Sequence, residues 1–316
     1  MSKTSMPLRW LVTGAAGFIG SNICEYLLDH GCEIIAVDNL SSGSSHNVTL
    51  LQHKSPKNFH FFRLDIRDAQ TIDDIFGQYR PDRVLHLAAM VSVPRCQQNL
   101  CEAHDINVTG FLNILNSAKK NHVTQFIYAS SSAVYGKQPD GAISEAANVA
   151  PLSFYGTTKL VNELYATELA TVAFQCVGLR LFNIFGPRQP TDGGYAAVIP
   201  TWKHCLKNHL SVHIFGDGSQ TRDFCHVMNV AHAIEQISKT HFLIPHTVLN
   251  IGTGQAIDLL SLYEALFEAH NIEVAAALDF APAREGDILH SRANIAKAVE
   301  LIDYNPNCDL ISLLRE

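Results

Sequence analysis

The chain has 316 residues, of which 47% are hydrophobic and 17% charged, with a net charge of −7. That length can bury a full core in one large or two modest domains, and the acidic balance without a basic run excludes nucleic acid as a main partner while leaving local arginines free to bind a small anion. Eight cysteines without a Cys-x-x-Cys read as reduced thiols of a cytoplasmic protein, and sixteen histidines with no compact ligand spacing predict no metal.

Lys3 and Arg9 ahead of an apolar stretch imitate a signal peptide, but the glycines within that stretch suit a nucleotide loop better. No apolar run reaches the ~18 residues of a spanning helix, so no membrane partner is expected. From the N-terminus, short apolar runs then alternate with helical patterns. Strands are predicted at Trp10–Thr13, Glu33–Val37, Phe59–Leu64, Arg83–Leu87, Gln125–Ser130 and Gln175–Leu181. Helical stripes fall between them at Ile19/Ile23/Leu27, Ile72/Ile75/Phe76/Tyr79 and Leu112/Leu115/Ala118, and Gly31 closes the first helix. This is the signature of an α/β Rossmann-type doubly wound parallel sheet. After about Arg180 the rhythm loosens into Gly-rich turns. Shorter strands (Val212–Phe215, Val248–Ile251) and helices (Leu259–Ala269, Asn294–Ile302) fit a smaller mixed α/β lobe. The expected division is 1–180 for a dinucleotide domain and 181–316 for a substrate domain, with the chain crossing back to the first.

Gly14-x-x-Gly17-x-x-Gly20 follows the first strand and opens a helix, with Phe18 and Ile19 in the first turn. Gly14 allows the tight turn, Gly17 lets the backbone approach a pyrophosphate, and Gly20 allows helix and strand to pack closely. The helix N-terminus offers free N–H groups and a positive dipole end. Asp38 ends the second strand 18 residues past Gly20. A carboxylate there binds ribose hydroxyls and repels a 2′-phosphate, which predicts NAD rather than NADP. Asn39, Ser42 and Gly43 follow in the same loop. Asp65 and Ile66 close the third strand beside the adenine position, and the small residues of Leu87-Ala88-Ala89 close the fourth. Asn107, polar in an apolar helix, is assigned to the cofactor site, with a structural role weighed equally.

Tyr155 and Lys159 lie four apart, and residues at i and i+4 share a helical face. A phenol has an ordinary pKa of about 10, and a neighbouring ammonium favours its phenolate, which makes a general base. Alone, that spacing is weak. A dinucleotide loop in the same chain supplies the hydride acceptor that such a base needs.

With the Gly loop, Asp38, Asp65, His86-Leu87-Ala88-Ala89, Ser131 and Tyr155-x-x-x-Lys159 in order, the chain resembles extended short-chain dehydrogenases/reductases. More closely it resembles the NAD-dependent nucleotide-sugar epimerase/dehydratase group, over about Arg9 to Asn305. The blocks Arg180–Arg188, Gly216–Phe224 and Arg284–Asp287 extend the likeness. The resemblance implies Tyr155 as base, Lys159 on the nicotinamide ribose and lowering the phenol pKa, and Ser131 on the substrate O4, with Ser132 assisting. Asn183, Arg222, Arg284 and Asp287 would hold a uridine diphosphate, chemistry that suits arginine on diphosphate and aspartate on ribose. Ala197, Val198 and Trp202 would flank the uracil, with core packing an equal alternative for Trp202, and Ser92 joins the substrate positions. A homodimer through the helices near Asn107–Lys119 and Tyr155–Ala170 is also implied.

Dehydratases of the group follow their catalytic Thr with Asp and Glu; here Ser132 and Ala133 stand there, so elimination lacks its acid and base. Ser291, seven past Arg284, falls where the family carries either a bulky Tyr or a small residue, and a small one leaves room for a 2-acetamido group. The expectation is 4-epimerisation of UDP-N-acetylglucosamine and its galacto epimer. Uronic or pentose 4-epimerases, a nucleotide-sugar reductase and a silent NAD-binding scaffold are the alternatives. Three departures from the family pattern stand out: Asn229 where Asp is frequent, His213 where an aromatic is common, and a chain that stops at Glu316.

Overall fold

The computed structural model describes residues 7–191, 197–270, 277–283 and 288–316. Strands β1 (Arg9–Thr13), β2 (Glu33–Asp38), β3 (Phe59–Arg63), β4 (Arg83–His86), β5 (Gln125–Ser131) and β6 (Gln175–Leu181) alternate with helices α1 (Phe18–Asp29), α2 (Ser45–Lys54), α3 (Ala69–Tyr79), α4 (Val93–Gln98), α5 (Leu100–His104), α6 (Gly110–Lys120) and α7 (Phe154–Leu169). The sheet is parallel throughout, in the order His246–Ile251, β6, β5, β4, β1, β2, β3. Successive residues of a strand face opposite sides, and the two sides fill separately. Trp10 and Val12 join Ile34 and Leu85 under α1, whereas Leu11 joins Ile35, Val37 and Val84 under α3 and α6. Each fully buried Leu, Ile or Phe contributes about 1.5–3 kcal/mol.

Strand order reverses between β1 and β4. Thr13 and His86, the last residues of those strands, are register partners there. A sheet of this topology binds its ligand outside the carboxyl ends at that reversal. Val248–Ile251, expected in the smaller lobe, is the outer strand of this large sheet, paired along β6 from Cys176 to Leu181. Hydrophobic pattern cannot tell a buried edge strand of one sheet from a strand of another; long-range pairing decides it.

The smaller lobe gathers helices Val198–Lys207 and Leu259–Ala269, the parallel pair Val212–Phe215 with Leu278–Ala281, and a three-stranded sheet ordered Ile257–Asp258, Thr221–Arg222, His290–Ser291. Its core holds Ile199, Trp202, Leu206, Val212, Ile214, Leu262 and Leu266. Arg188 ties the segment after Asn183–Phe185 to α1 by bonds of 2.7 Å to both Asn22 and Glu25. Asn229 donates to the Asn307 carbonyl at 2.9 Å and accepts from its N–H at 2.8 Å. An aspartate could accept there but not donate, which gives the departure at Asn229 a physical reason. His213 pairs instead with Asp279 across the outer strands, at 2.9 Å. All eight cysteines are free thiols, and among the described residues no helix is long and apolar enough to cross a membrane.

Candidate active site

Gly14 sits at φ +70°, and a Cβ there would lie 2.8 Å from the Ala88 nitrogen. At Gly20 a Cβ would lie 2.0 Å from the Gly14 carbonyl oxygen. Internal packing therefore accounts for both. Gly17 is different: a Cβ there would meet only the Gly14 oxygen, at 3.3 Å. The chain itself does not demand glycine at this point, so its smallness leaves room beside the helix end. Gly17 is also the N-cap of α1, has no side-chain cap, and no acid follows in the first turn. Phe18 and Ile19 open that turn half-buried. An uncapped N-terminus with space in front of it fits a pyrophosphate.

Asp38 is buried, and its carboxylate accepts from the N–H groups of Ala16 (3.0 Å) and Leu40 (2.8 Å). It thus stands between the Gly loop and the loop after β2. Gly43 packs in behind, where a Cβ would meet Ala16 and Asp38 at 2.8 and 2.9 Å. Ser42 lies exposed at the tip of that loop. Asn39 reaches across to Asp65 at 2.9 Å. The Arg67 guanidinium grips Asp65 through two bonds, which holds that carboxyl well below its usual range. The Ile66 side chain packs into the core, where a Gly110 Cβ would lie.

Thr13 organises the end of β4. Its hydroxyl oxygen accepts from the N–H of Leu87 and of Ala88, both at 3.2 Å, and so donates its proton to His86 Nδ1 at 2.8 Å. That accounting places the His86 proton on Nε2. Burial pushes His86 down to about 3, with the nearby Lys159 adding to the shift. Leu87, Ala88 and half-buried Ala89 are thereby held against the Gly loop. Asn107 lies in a π-helical turn, Asp105–Thr109, and its amide is spent on the chain: it accepts from Met90 N–H at 2.7 Å and donates to Met90 O at 3.0 Å and Thr158 Oγ1 at 3.2 Å. Both ends of the amide are therefore occupied by the chain.

Ser153 caps α7, accepting from the Gly156 N–H at 3.1 Å. A Cβ at Gly156 would lie 2.6 Å from the Ala133 oxygen, so glycine beside Tyr155 lets the helix close onto the turn that carries Ser131. Ser131 ends β5, accepts from Ala133 N–H at 3.1 Å, and lies close enough to the Tyr155 phenol to draw its pKa down. Ser132 follows in a 3₁₀ turn, half-buried. The Tyr155 ring packs on Met90 and Cys96. Lys159 is buried; its ammonium donates to the Ala129 carbonyl at 2.7 Å and stands 5.8 Å from the Tyr155 ring centre.

Electrostatics here depart from the expectation. Burial pushes the Tyr155 phenol up to about 12, and the Ser131 hydrogen bond, rather than Lys159, draws it back. Burial also pushes Lys159 down to about 8. A phenol and an amine desolvated together each favour their neutral forms. Bringing the phenol into working range requires added positive charge beside it.

On the substrate side, Arg222 and Ser291 are register partners on neighbouring strands. Asp223, wholly buried between them and the sheet, accepts from Thr253 N–H and Oγ1, Gly254 N–H and Ala293 N–H. Asn183 donates its N–H to the Asp223 carbonyl at 3.1 Å, two residues after Leu181, the register partner of Ser131. Asn183, Arg222 and Ser291 therefore cluster along one seam that leads from Ser131. Arg222 donates to the carbonyls of Thr221 and Leu289. Ala197 and Val198 stand at the N-terminus of the helix Val198–Lys207. Trp202 is 3% exposed and meets Tyr263 edge-on at 6.4 Å. Ser92 caps α4, accepting from Arg95 N–H at 3.3 Å. Arg284 and Asp287 lie outside the described residues. Among the described residues no cluster could hold a metal.

Thr13 and Glu163 carry no expectation of a site role from the sequence, and Arg180 and Asp223 enter there only within longer blocks. Glu163 had a legible signal, since it stands at i+8 from Tyr155 and i+4 from Lys159 on the same face.

A doubly wound sheet with a glycine cradle at its reversal, a carboxylate after β2 and a Ser–Tyr–Lys set defines a nicotinamide-dinucleotide enzyme. The model of the NAD dependent epimerase/dehydratase family matches residues 10–252. A putative UDP-glucose 4-epimerase of Methanocaldococcus jannaschii is 33% identical over 95% of this chain and 94% of its own. The solved UDP-N-acetylglucosamine 4-epimerase of Methanobrevibacter ruminantium M1, in complex with UDP-N-acetylmuramic acid, superposes with a TM-score of 0.91 at 33% identity, over 99% of this chain and 97% of that one. A UDP-glucose-4-epimerase from Stenotrophomonas maltophila, with bound NAD and formylated UDP-arabinopyranose, gives 0.90 at 29% identity over 98% and 96%. The chain belongs to the NAD-dependent epimerase/dehydratase family, and NAD is its cofactor.

Proposed function

We propose that this chain epimerises the C4 hydroxyl of a UDP-hexose, with UDP-N-acetylglucosamine and UDP-N-acetylgalactosamine as its substrates. The enzyme is an NAD-dependent nucleotide-sugar 4-epimerase. Bound NAD supplies a reversible hydride acceptor for C4. The uncapped α1 N-terminus holds its pyrophosphate and Asp38 its adenosine ribose. Tyr155 takes the proton from the sugar O4 and later returns it, while Ser131 hydrogen-bonds the same oxygen. Lys159, released from the Ala129 carbonyl, turns to the nicotinamide ribose and adds the positive charge that the buried phenol needs. The 4-keto sugar turns over about its diphosphate tether, presenting its other face. Arg222 and Asn183 grip the nucleotide and keep the tether fixed, while the hexose end is left room to rotate.

The observation that carries the reading is the buried Tyr155 phenol with Ser131 drawing its pKa down and Lys159 beneath its ring, in a chain with no acid–base pair at Ser132 and Ala133. The acetamido preference rests on Ser291 beside Arg222. Its test compares kcat/KM for UDP-N-acetylglucosamine, UDP-glucose, UDP-glucuronate and UDP-xylose in the parent and in Ser291→Tyr. The reading expects UDP-N-acetylglucosamine to lead and to lose selectively in the variant. Equal loss for all four would sink the role of Ser291.

The working form is a homodimer through α6 and α7. Leu164 on α7 is 62% exposed, with Tyr165 beside it and Leu100 on α5 also bare, a cost in water that a second copy removes. Eight unpaired thiols suit a cytoplasmic setting.

A further inference from the structure

We propose that Glu163 is a positioning residue, which sets the register of α7 against β5 and so places the Tyr155 hydroxyl opposite Ser131. The inference rests on Tyr155 as the base and extends it to the groups that aim it. Tyr155, Lys159 and Glu163 follow at i, i+4 and i+8, and all three turn to the sheet. Each meets a consecutive residue of β5. Lys159 donates to the Ala129 carbonyl at 2.7 Å. Glu163 accepts from the Ser130 hydroxyl at 2.5 Å. Tyr155 comes near Ser131, which draws the phenol's pKa down.

Glu163 is the anchor of this series because it is itself immobilised. Arg180 donates to it in a two-pronged fork, Nε at 2.9 Å and Nη2 at 2.7 Å, with both side chains buried. Ser130 and Arg180 are register partners on β5 and β6, so two strands grip one carboxylate. Arg180 is held in turn: it stacks 4.7 Å over the Tyr135 ring and donates to the Glu145 carbonyl at 3.2 Å. Tyr135 donates to Asn250 at 2.6 Å, on the outer strand. The network therefore runs from the outer edge of the sheet to the residue next to Ser131.

Lys159 cannot supply this register itself, because its role in the reaction requires it to leave Ala129. Glu163 touches no reacting atom and stays paired throughout. A buried fork is also geometrically strict, so α7 cannot slide or roll without breaking charge-assisted bonds. Loss of about 1 Å in such alignment costs on the order of 10²-fold in rate.

Removing Glu163 would strand the Arg180 charge and threaten folding, so the diagnostic variant is Ser130→Ala, which spares the ion pair and cuts only the tie to β5. Three readouts are taken on protein as purified with its NAD. We expect kcat to fall roughly 10–100-fold with KM for the nucleotide sugar unchanged. The alkaline titration of Tyr155, read by ultraviolet difference against a Tyr155→Phe partner, should move to higher pH as the Ser131 bond loosens. Ser130→Thr, which restores the hydroxyl, should recover both. Unchanged kcat and an unchanged Tyr155 titration in Ser130→Ala would overturn the proposal. So would a loss confined to Tm and yield, with full kcat per folded site. Failure of the base assignment is read separately, as turnover that survives in Tyr155→Phe.

Discussion

Two glycines three residues apart on the same loop and helix should behave in opposite ways. Gly20→Ala drives a Cβ to 2.0 Å from the Gly14 oxygen and should prevent folding. Gly17→Ala meets only one atom, at 3.3 Å, in a backbone conformation open to any residue. Its Tm without cofactor should stay within a few degrees of the parent, while NAD affinity falls about 10–100-fold because the methyl fills the cradle. Thermal melts with and without NAD check both. Tyr155→Phe removes the proton acceptor and should lower kcat by about 10²–10⁴-fold with NAD still bound. An active, folded variant would remove Tyr155 from the mechanism. Expectations at this scale are sharpest where a residue type has few other uses, as with Asp38 and Tyr155, whereas Gly14 is demanded by internal packing as well. Trp202 and Asn107 are ambiguous because burial uses tryptophan and asparagine as readily as a ligand does.

At the level of strands and helices, the buried histidines link stability to pH. His86, at the end of β4, is pushed from about 6.5 to about 3, and His246, at the start of the outer strand, to about 4, chiefly by burial. Both folded-state values are depressed, so below pH 6.5 the unfolded chain takes up protons that the folded chain refuses. Their stabilising contribution is complete above about pH 6.5 and is lost as pH falls towards 4 and then 3. Tm should drop by several degrees between pH 7 and pH 5, and the slope should flatten in His246→Gln, which keeps a neutral partner near Tyr128 and Thr167. A Tm independent of pH over that interval would contradict the burial of both rings. Strand positions were legible to within a residue from β1 to β6, since alternating cores impose continuous apolar runs. The outer strand His246–Ile251 was found as a strand but misplaced, because nothing local records which sheet it joins. The Glu163–Arg180 fork was missed for the same reason: its two halves are 17 residues apart in sequence and meet only when α7 lies across β5 and β6.

Across the whole molecule, the proposed mechanism draws the cofactor cradle and the base from the larger sheet and the nucleotide grip from the smaller lobe. The seam from Ser131 through Leu181 and Asn183 to Arg222 and Ser291 joins them. Assembly belongs to this scale too. Leu164→Glu on the bare face of α7 should convert a dimer to a monomer in sedimentation, whereas a parent that sediments as a monomer would refute the α6–α7 interface. The central claim is that hydride leaves C4 and returns to the same carbon from within one site. Purified protein, with no added cofactor, would be given UDP-N-acetylglucosamine carrying deuterium at C4, and the product followed by NMR. The account predicts the C4 epimer with deuterium retained and no net change in NAD. Washout of the label into solvent, a dehydrated or reduced sugar, or net consumption of the dinucleotide would contradict it.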